Sequence, residues 1–331
     1  WFEPEMTNKD SDLYRAHPDW ILHTPGRNAS HGRYQYVLDF SRKEVVEYIY
    51  EMMAKILSEA KVSYIKWDMN RSITECYSVA LPADRQGEVF HRYILGVYDL
   101  YERLTSEFPE VLFESCSSGG GRFDPGMLYY APQGWTSDDS DAIERLKIQY
   151  GTSLCYPISS MGSHVSVIPN HQVFRKTPLH TRANVAYFGT FGYELDLNSL
   201  KEEEIAEVKE QIIFMKKYRK LFQFGDFYRL KSPFEGNETI WMVVSEDKKT
   251  AIVGYYRTLN GVNQAYSRIK LQGLDPDMLY ENILNKTENY GDELMNFGLI
   301  TTDVTAGEVP GDATPCTDFE SRIYILKAKE K

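Results

Sequence analysis

The stretch Val62-Ser-Tyr-Ile-Lys-Trp-Asp-Met-Asn-Arg71 decides the fold, because a short β-branched and aromatic segment runs directly into charged and polar residues. Side chains alternate along a strand, so Lys66, Asp68 and Asn70 share one face, opposite to Trp67. If the strand belongs to a barrel, these polar side chains lie at its C-terminal end, where barrel enzymes place their chemistry. The stretch therefore predicts either a catalytic strand end or a salt bridge at the surface.

Helical and strand patterns alternate on both sides of this strand. Ser41-Arg-Lys-Glu44 reads as a capping box before a helix with apolar spacing over residues 45–57. Residues 86–107 predict a second helix, and Val111-Leu-Phe-Glu-Ser-Cys116 and Gly134-Trp-Thr-Ser137 predict two further strands. Such alternation is typical of a parallel sheet or a barrel.

The rest of the chain completes the prediction of domains. Two more strands are predicted at residues 154–158 and 185–191. A long helix is predicted at residues 200–222, and after it short strands and turn clusters replace the helical period. We therefore predict an α/β barrel portion at residues 1–227 and an antiparallel β-sandwich domain at residues 228–331.

About five strand–helix units are too few for a complete eight-stranded barrel. Either the sheet is open, or the first barrel strands lie upstream of Trp1. The chain opens with Trp1-Phe-Glu-Pro-Glu-Met6, without an initiator methionine or a polar tail, which favours the second alternative. We therefore expect a (β/α)8 TIM-type barrel that lacks its first strands.

Composition and charge exclude several classes of protein. The chain has 331 residues with 37 basic and 48 acidic side chains, a net charge of −11, so nucleic-acid binding is not expected. No apolar run approaches the roughly 20 residues that span a membrane. No CxxC pair or HExxH motif occurs, so we expect neither a disulfide framework nor a metal site, and this cysteine usage fits the cytoplasm. The residues concerned are Cys76, Cys116, Cys155, Cys316, His164, His171 and His180.

Carboxylates follow two of the predicted strands. Asp68 follows the first, and the pair Asp138-Asp139 follows a later one. Retaining glycosidases use two carboxyl groups about 5–5.5 Å apart, one as nucleophile and one as acid/base. Lys66, two residues from Asp68, favours the ionised carboxylate that a nucleophile requires. Helix capping is the alternative for Asp139 and Asp141, and the residues alone do not choose clearly between Asp138 and Asp139 as the acid.

A glycine-rich segment, Cys116-Ser-Ser-Gly119-Gly-Gly-Arg122, directly follows another predicted strand. Glycines let a ligand approach the backbone, whose N–H groups can then contact hydroxyl groups or anions. A phosphate loop is one alternative, but the GxxxxGKS/T pattern is missing and the overall charge is acidic. A plain glycine-rich turn is the other alternative.

Five sequence motifs occur in a fixed order over about residues 1–225. They are Trp1-Phe-Glu-Pro-Glu-Met6, Lys66-Trp-Asp-Met-Asn-Arg71, Cys116-Ser-Ser-Gly119-Gly-Gly-Arg122, Trp135-Thr-Ser-Asp-Asp139 and Tyr156-Pro-Ile-Ser-Ser-Met-Gly-Ser-His164. Together they resemble one family, the retaining α-galactosidases of glycoside hydrolase family 36, whose C-terminal domain the β-rich remainder also matches. Each motif is modestly specific, whereas five in order are strongly so.

The resemblance assigns roles by position. It implies that Asp68 is the nucleophile and that Asp138, rather than Asp139, is the acid/base. Arg122 completes the family's CxxGxxR pattern, with an ion pair behind the pocket as the alternative. The substrate-binding residues that the resemblance implies are Trp1, Arg33, Lys66, Cys116 and Gly119.

The resemblance also implies an activity. It is that of a retaining exo-α-galactosidase acting on terminal α-galactosides such as melibiose or raffinose-type sugars, without a cofactor. The alternatives are α-galactosyl transfer, cleavage of α-N-acetylgalactosaminides, and a non-catalytic sugar-binding fragment. Family members form tetramers, so a homo-oligomer is expected for the full-length protein.

The front of the chain departs from the family pattern. Family members carry an N-terminal β-sandwich and earlier barrel strands, with an aspartate pair and a tryptophan that contact the sugar. We expect these parts upstream of Trp1. A barrel without them exposes unpaired strand edges, so the activity of this piece alone is left open.

Overall fold

The computed structural model describes residues 1–261, 267–301 and 318–329. The chain divides into two compact units, Trp1–Asp138 and Asp139–Lys331. This division concerns compactness and does not test the domain boundary predicted after residue 227, which stays a prediction. Cys316 lies outside the described residues.

The first unit, all of whose residues are described, alternates strands and helices. Its strands β3, β4 and β5 form a parallel sheet in that order, and β1 and β2 form an antiparallel pair. The elements are β1 Met6–Asn8, α1 Asp12–Ala16, β2 Gln35–Val37, α2 Lys43–Glu59, β3 Tyr64–Trp67, α3 Val89–Glu107, β4 Leu112–Ser115, α4 Pro125–Tyr130 and β5 Gln133–Gly134.

Helices α2 and α3 form because apolar side chains recur along one face of each. Val46 and Ile49 of α2 and Val97 of α3 are buried in one hydrophobic cluster with Trp67 of β3. The ring of Trp67 stacks on that of Tyr101 at a centroid distance of 3.9 Å. Burying each of these side chains contributes roughly 1.5–3 kcal/mol, so this cluster holds β3 in place beneath the polar strand end.

The capping box predicted for Ser41 and Glu44 is wrong. Helix α2 has Arg42 at its N-cap, without a capping hydrogen bond from that side chain. The Ser41 hydroxyl instead donates to Asp39 Oδ1 at 2.5 Å, and Arg42 Nε donates to Glu44 Oε1 at 2.8 Å. Both side chains that the capping box requires therefore have other partners: Ser41 bonds the Asp39 carboxylate, and Glu44 bonds the Arg42 guanidinium.

The register of the parallel sheet decides where the polar residues lie. Trp67 pairs with Ser115, and Ser115 pairs with Gly134, so the residues that follow all three lie at one edge. Phe2 extends the sheet, because it forms a parallel bridge with Trp67 on the other side of β3. The carboxyl ends of four neighbouring segments thus meet at the edge where the sequence predicts the chemistry.

The second unit combines two parallel strands with a large antiparallel sheet. In the described residues, β6 pairs with β7, β11 pairs with β14, and six strands follow the order β13-β12-β15-β10-β9-β8. The elements are α5 Ala142–Ser153, β6 Gly162–Ser166, α6 Leu179–Ala186, β7 Thr190–Glu194, α7 Glu202–Phe224, β8 Asp226–Lys231, β9 Glu238–Val244, β10 Thr250–Arg257, β11 Arg268–Ile269, β12 Leu279–Asn282, β13 Glu288–Tyr290, α8 Gly291–Asn296, β14 Leu299–Ile300 and β15 Glu320–Ala328.

Two strand predictions in this unit are wrong in position. Residues 154–158 are not a strand, because Leu154 ends α5 with 60% of its surface exposed and Pro157 precedes a short 3-10 turn. Residues 185–191 contain the end of α6 and the start of β7, with Gly189 between them. A short continuous apolar run does not distinguish a buried helix end from a buried strand.

The sequence pattern changes near residue 228 from helical spacing to short strands and turns, and the structure changes there to antiparallel strands. Strands β8, β9 and β10 are antiparallel neighbours, and β9 and β10 are buried over almost their whole length. Among the described residues, no helix combines the length and the apolar character that crossing a membrane requires.

Candidate active site

Asp68 directly follows β3 and is only 3% exposed. Its backbone N–H donates to the Phe2 carbonyl at 2.9 Å, so the main chain fixes its position. Asn70 Nδ2 donates to Asp68 Oδ2 at 2.7 Å. The other oxygen, Oδ1, is buried and accepts no hydrogen bond within the described part of the chain. The carboxylate is thus oriented through one oxygen, while the hydrogen-bonding capacity of the other is unused.

The Cys116 thiol lies beside this carboxylate. The Cys116 N–H donates to the Trp67 carbonyl at 2.9 Å, and the Met69 N–H donates to the Cys116 carbonyl at 3.1 Å. Burial, and then interaction with the Asp68 carboxylate, raises the pKa of the Cys116 thiol to about 12. Cys116 therefore remains a neutral thiol near neutral pH, and it is suited to packing or weak hydrogen bonding rather than to nucleophilic attack.

Lys66 shares the face of Asp68 and is held between aromatic rings. Its Nζ lies 4.7 Å from the ring centroid of Trp1 and 4.8 Å from that of Trp135. The same atom lies 3.2 Å from Glu114 Oε1. The structure thus brings together Trp1 and Lys66, two of the predicted binding residues, and Trp1 as a residue is 82% exposed.

Trp135 connects Asp138 to the same edge of the sheet. Its backbone N–H donates to the Ser115 carbonyl at 2.9 Å, which continues the β4–β5 pairing. Its indole Nε1 donates to Asp138 Oδ1 at 3.1 Å. Since Lys66 lies over the Trp135 ring, a continuous set of contacts joins the strand end that carries Asp68 to the segment that carries Asp138.

Gly119 completes this connection through the backbone. Its φ of +81° favours glycine, and a Cβ here would lie 2.8 Å from Ser137 Cα and 2.9 Å from Asp138 N. The next glycine packs as closely, since a Cβ at Gly120 would lie 2.4 Å from the Thr136 carbonyl oxygen. These glycines therefore let the loop pack against the segment that carries Asp138, which favours the turn alternative over a phosphate loop.

The neighbours of Asp138 have structural roles at the start of α5. Asp141 Oδ2 accepts hydrogen bonds from the N–H groups of Ile143 and Glu144, each at 3.1 Å. Asp139 Oδ1 accepts from the Asp141 N–H at 3.1 Å. The capping alternative is therefore confirmed for Asp141, and Asp139 supports the same turn.

Arg33 lies at the outer side of this constellation. It adopts a φ of 51°, and its half-exposed guanidinium lies 3.7 Å from Glu3 Oε1. Glu3 Oε1 also accepts a hydrogen bond from Asn70 Nδ2 at 2.9 Å. Arg33 is thus connected to Asp68 through two intervening side chains rather than by direct contact.

Arg122 forms an ion pair behind the site, as one sequence alternative predicts. Its two terminal nitrogens donate to the carboxylate oxygens of Glu5 at 2.9 and 2.8 Å. Trp67 Nε1 donates to Glu5 at 2.8 Å and the Tyr93 hydroxyl also donates to it. Burial alone would raise the pKa of Glu5, but the charge and hydrogen bonds of Arg122 keep it below the usual value. Sequence analysis did not identify Glu5 or Tyr93, although both lie in segments that it singled out.

This buried pair predicts a large effect on stability. Arg122→Met is expected to lower the free energy of unfolding by about 3–5 kcal/mol, because it leaves Glu5 as an unpaired buried charge. The control is Arg103→Met, since Arg103 forms a similar two-bond pair with Glu47 on the exposed surface, where screening by water makes its loss much less costly. Urea denaturation of both variants at pH 7 measures the difference, and equal losses would contradict it.

The same pair predicts a direction of pH dependence. Because the pKa of Glu5 is lowered in the folded state, its ionised form stabilises the fold above its unfolded pKa of about 4.3. That contribution is lost as the pH falls through the lower, folded pKa. The stability difference between the wild type and Glu5→Gln is therefore expected to shrink below about pH 4, as urea denaturation at several pH values would show.

The arrangement determines which chemistry is available. Asp68 is a buried carboxylate with one oxygen that accepts no hydrogen bond from the described residues. Asp138 lies on a segment connected to the same sheet edge, beside Lys66 and the rings of Trp1 and Trp135. Two such acids can act as nucleophile and acid/base at a glycosidic bond. Within residues 1–261, 267–301 and 318–329, no group of His, Cys, Asp or Glu side chains is arranged to hold a metal ion.

Two family models match the chain. The melibiase model matches residues 1–225, and the model of the glycosyl hydrolase family 36 C-terminal domain matches residues 238–326. The chain therefore belongs to the melibiase family, within glycosyl hydrolase family 36. The resemblance found in the sequence is confirmed, and so is the fold class, a barrel-type α/β fold followed by an antiparallel β domain.

Individual relatives agree with this assignment. The chain is 56% identical to the α-galactosidase AgaA of Geobacillus stearothermophilus over 333 residues, which cover 100% of this chain and 44% of AgaA. A crystal structure of an AgaA variant with raffinose is 52% identical with a TM-score of 0.93, covering 99% of this chain and 44% of that one. A second AgaA variant, with stachyose, is 53% identical with a TM-score of 0.93 and the same coverage. The chain thus spans less than half the length of the relatives that it matches.

Proposed function

We propose that the full-length protein is a retaining exo-α-galactosidase that hydrolyses terminal α-galactosides such as melibiose and raffinose-type oligosaccharides. The observation that carries this proposal is the connected pair of carboxyl groups. Asp68 has a buried oxygen without a hydrogen-bond partner in the described residues, and Trp135 joins its sheet edge to Asp138. Family membership supports the same reaction class.

In the proposed mechanism Asp68 attacks the anomeric carbon while Asp138 gives its proton to the leaving oxygen. The glycosidic bond breaks, and a covalent β-galactosyl ester with Asp68 forms. Asp138 then takes a proton from water, which attacks the same carbon and releases galactose with the α-configuration of the substrate. Two inversions give overall retention.

The relatives support the choice of these two aspartates. The AgaA variants in complex with raffinose and stachyose carry aspartate substitutions at two different positions. Those positions are separated along AgaA by as many residues as separate Asp68 from Asp138 here. Substituting a catalytic acid is a common way to keep an intact substrate bound, so the spacing agrees with the proposed roles.

The proposed substrate-binding residues surround the same edge. Lys66 can donate to sugar hydroxyl groups, and the exposed ring of Trp1 can form an apolar wall of the pocket. We propose that Cys116 and Gly119 crowd the 2-position of the sugar and favour galactose over an acetamido sugar. Arg33 would contact the sugar from the outer side, beside Glu3.

A substrate panel distinguishes the proposal from its alternatives. We expect the full-length protein to hydrolyse nitrophenyl α-galactoside and raffinose, and to cleave nitrophenyl α-N-acetylgalactosaminide at least about 100-fold more slowly because the acetamido group meets Cys116. Hydrolysis is followed by galactose release, and transfer by the appearance of longer oligosaccharides. Preferential cleavage of the acetamido sugar, dominant transfer, or sugar binding without turnover would each favour one of the alternatives.

Other aspects of the protein stay predictions. These are a cytoplasmic location, assembly into a homotetramer, and the division of domains after residue 227. The two family-model matches lie on either side of that boundary and support it. Size measurement of the full-length protein in solution would test the assembly.

A further inference from the structure

Glu3 accepts hydrogen bonds from two side chains and faces a cation. Its Oε1 accepts from Asn70 Nδ2 at 2.9 Å and lies 3.7 Å from Arg33 Nη1. Its Oε2 accepts from the Gln35 amide. The side chain is 28% exposed, so these partners rather than bulk water define its position.

The main chain fixes Glu3 independently of those side chains. The Phe2 N–H donates to the Lys66 carbonyl at 3.0 Å, and the Asp68 N–H donates to the Phe2 carbonyl at 2.9 Å. Glu3 therefore follows a residue that is paired with the strand leading to Asp68. Its carboxylate starts from a backbone position held in register with the proposed nucleophile.

Asn70 spans the two carboxylates. Its side-chain nitrogen donates to Asp68 Oδ2 at 2.7 Å and to Glu3 Oε1 at 2.9 Å. An amide nitrogen has two N–H bonds, so both are used, and both hydrogen bonds end on charged acceptors. If the amide turned over, its oxygen would face two carboxylates. Glu3 thus fixes which end of Asn70 faces Asp68.

As a result, the two carboxylate oxygens of Asp68 differ in their hydrogen bonding. Oδ2 is anchored by Asn70, whereas Oδ1 is buried and accepts no hydrogen bond from the residues that the structure describes. We propose that Glu3 and Asn70 are positioning residues that hold Oδ2, so that Oδ1 is the oxygen that attacks the sugar. This inference rests on the proposed galactosidase activity and adds the orientation that the nucleophile requires.

A double-mutant cycle in the full-length protein tests the proposal, with nitrophenyl α-galactoside as substrate. Asn70→Ala is expected to lower kcat roughly 100-fold, because a small misplacement of a reacting group costs about that much. Glu3→Ala is expected to lower kcat about tenfold, with KM changed less than about threefold in both variants. The double variant should lose no more than Asn70→Ala alone, because Glu3 acts through Asn70.

A conservative variant and a matched control separate positioning from a general loss of structure. Glu3→Gln keeps a carbonyl oxygen that can accept from Asn70, so it should recover kcat to within about threefold of the wild type. Asn198 makes the same kind of contact on the surface, its Nδ2 donating to Asp196 Oδ1 at 3.0 Å. Asn198→Ala should leave kcat and KM unchanged. If Asn70→Ala does not fold, Asn70→Ser takes its place in the cycle.

Each outcome decides one question. Additive losses in the double variant, or a raised KM with unchanged kcat in Glu3→Ala, would overturn the proposal and place Glu3 in substrate binding beside Arg33 instead. If Glu3→Gln did not recover kcat, this would also contradict the proposal that Glu3 acts through Asn70. A wild-type protein without galactosidase activity would refute the proposed function itself, which is a distinguishable result because it appears before any variant is made.

Discussion

Replacing Asp68 by glycine is expected to reduce kcat/KM for nitrophenyl α-galactoside by roughly 10⁴-fold or more, because no covalent intermediate can form. The space left by the buried carboxylate lies where the attacking oxygen was. Azide added to this variant should enter that space and restore part of the activity. The product should be β-galactosyl azide, since a single displacement inverts the configuration of the α-galactoside.

The comparison for this prediction is Asp10→Gly, which changes an exposed aspartate in a turn. It should retain wild-type kinetics. Initial rates, together with nuclear magnetic resonance of the azide product, measure both variants. Undiminished cleavage by Asp68→Gly would show that another group is the nucleophile.

Replacing Asp138 by asparagine is expected to have an effect that depends on the leaving group. For raffinose, whose leaving sugar needs a proton, kcat/KM should fall by roughly 10³–10⁴-fold. For dinitrophenyl α-galactoside, whose leaving group needs no proton, kcat/KM should fall less than about tenfold. With that substrate the second step loses its base, so the intermediate should accumulate and KM should fall with kcat.

The neighbouring residue provides the matched control. Asp139→Asn makes the same chemical change one position further, at a carboxylate that accepts from the Asp141 N–H. It should affect both substrates by less than about tenfold and without regard to the leaving group. If Asp139→Asn showed the dependence on the leaving group and Asp138→Asn did not, the two roles would have to be exchanged.

The main features of this site could be predicted from local pattern. The alternation in Val62–Arg71 places Lys66 and Asp68 on one strand face, and the parallel order of β3, β4 and β5 brings their carboxyl ends to one edge. The choice of Asp138 rather than Asp139 as the acid/base came only from the family resemblance. That choice stays a prediction; the structure adds that Asp139 accepts a backbone N–H at the start of α5.

The supporting residues could not be predicted in this way, because their roles depend on contacts between distant segments. Glu5 meets Arg122 across 117 residues and Glu3 meets Asn70 across 67. The spacing of apolar and polar residues along the sequence does not indicate such long-range pairs. The capping box at Ser41 failed for a local reason, since the Ser41 hydroxyl that the box requires donates a hydrogen bond to Asp39, two residues earlier. The strand predicted at residues 154–158 failed because apolar character does not by itself indicate burial, as exposed Leu154 shows.

The most direct measurement is peptide mass mapping of the full-length protein after inactivation by a slow fluorinated α-galactosyl fluoride. Such a reagent allows the first displacement and delays the second, so the covalent intermediate accumulates. The account predicts one fluorogalactosyl group per protein, attached to Asp68, and none on Asp138. A label on any other residue, or turnover without a covalent intermediate, would contradict it.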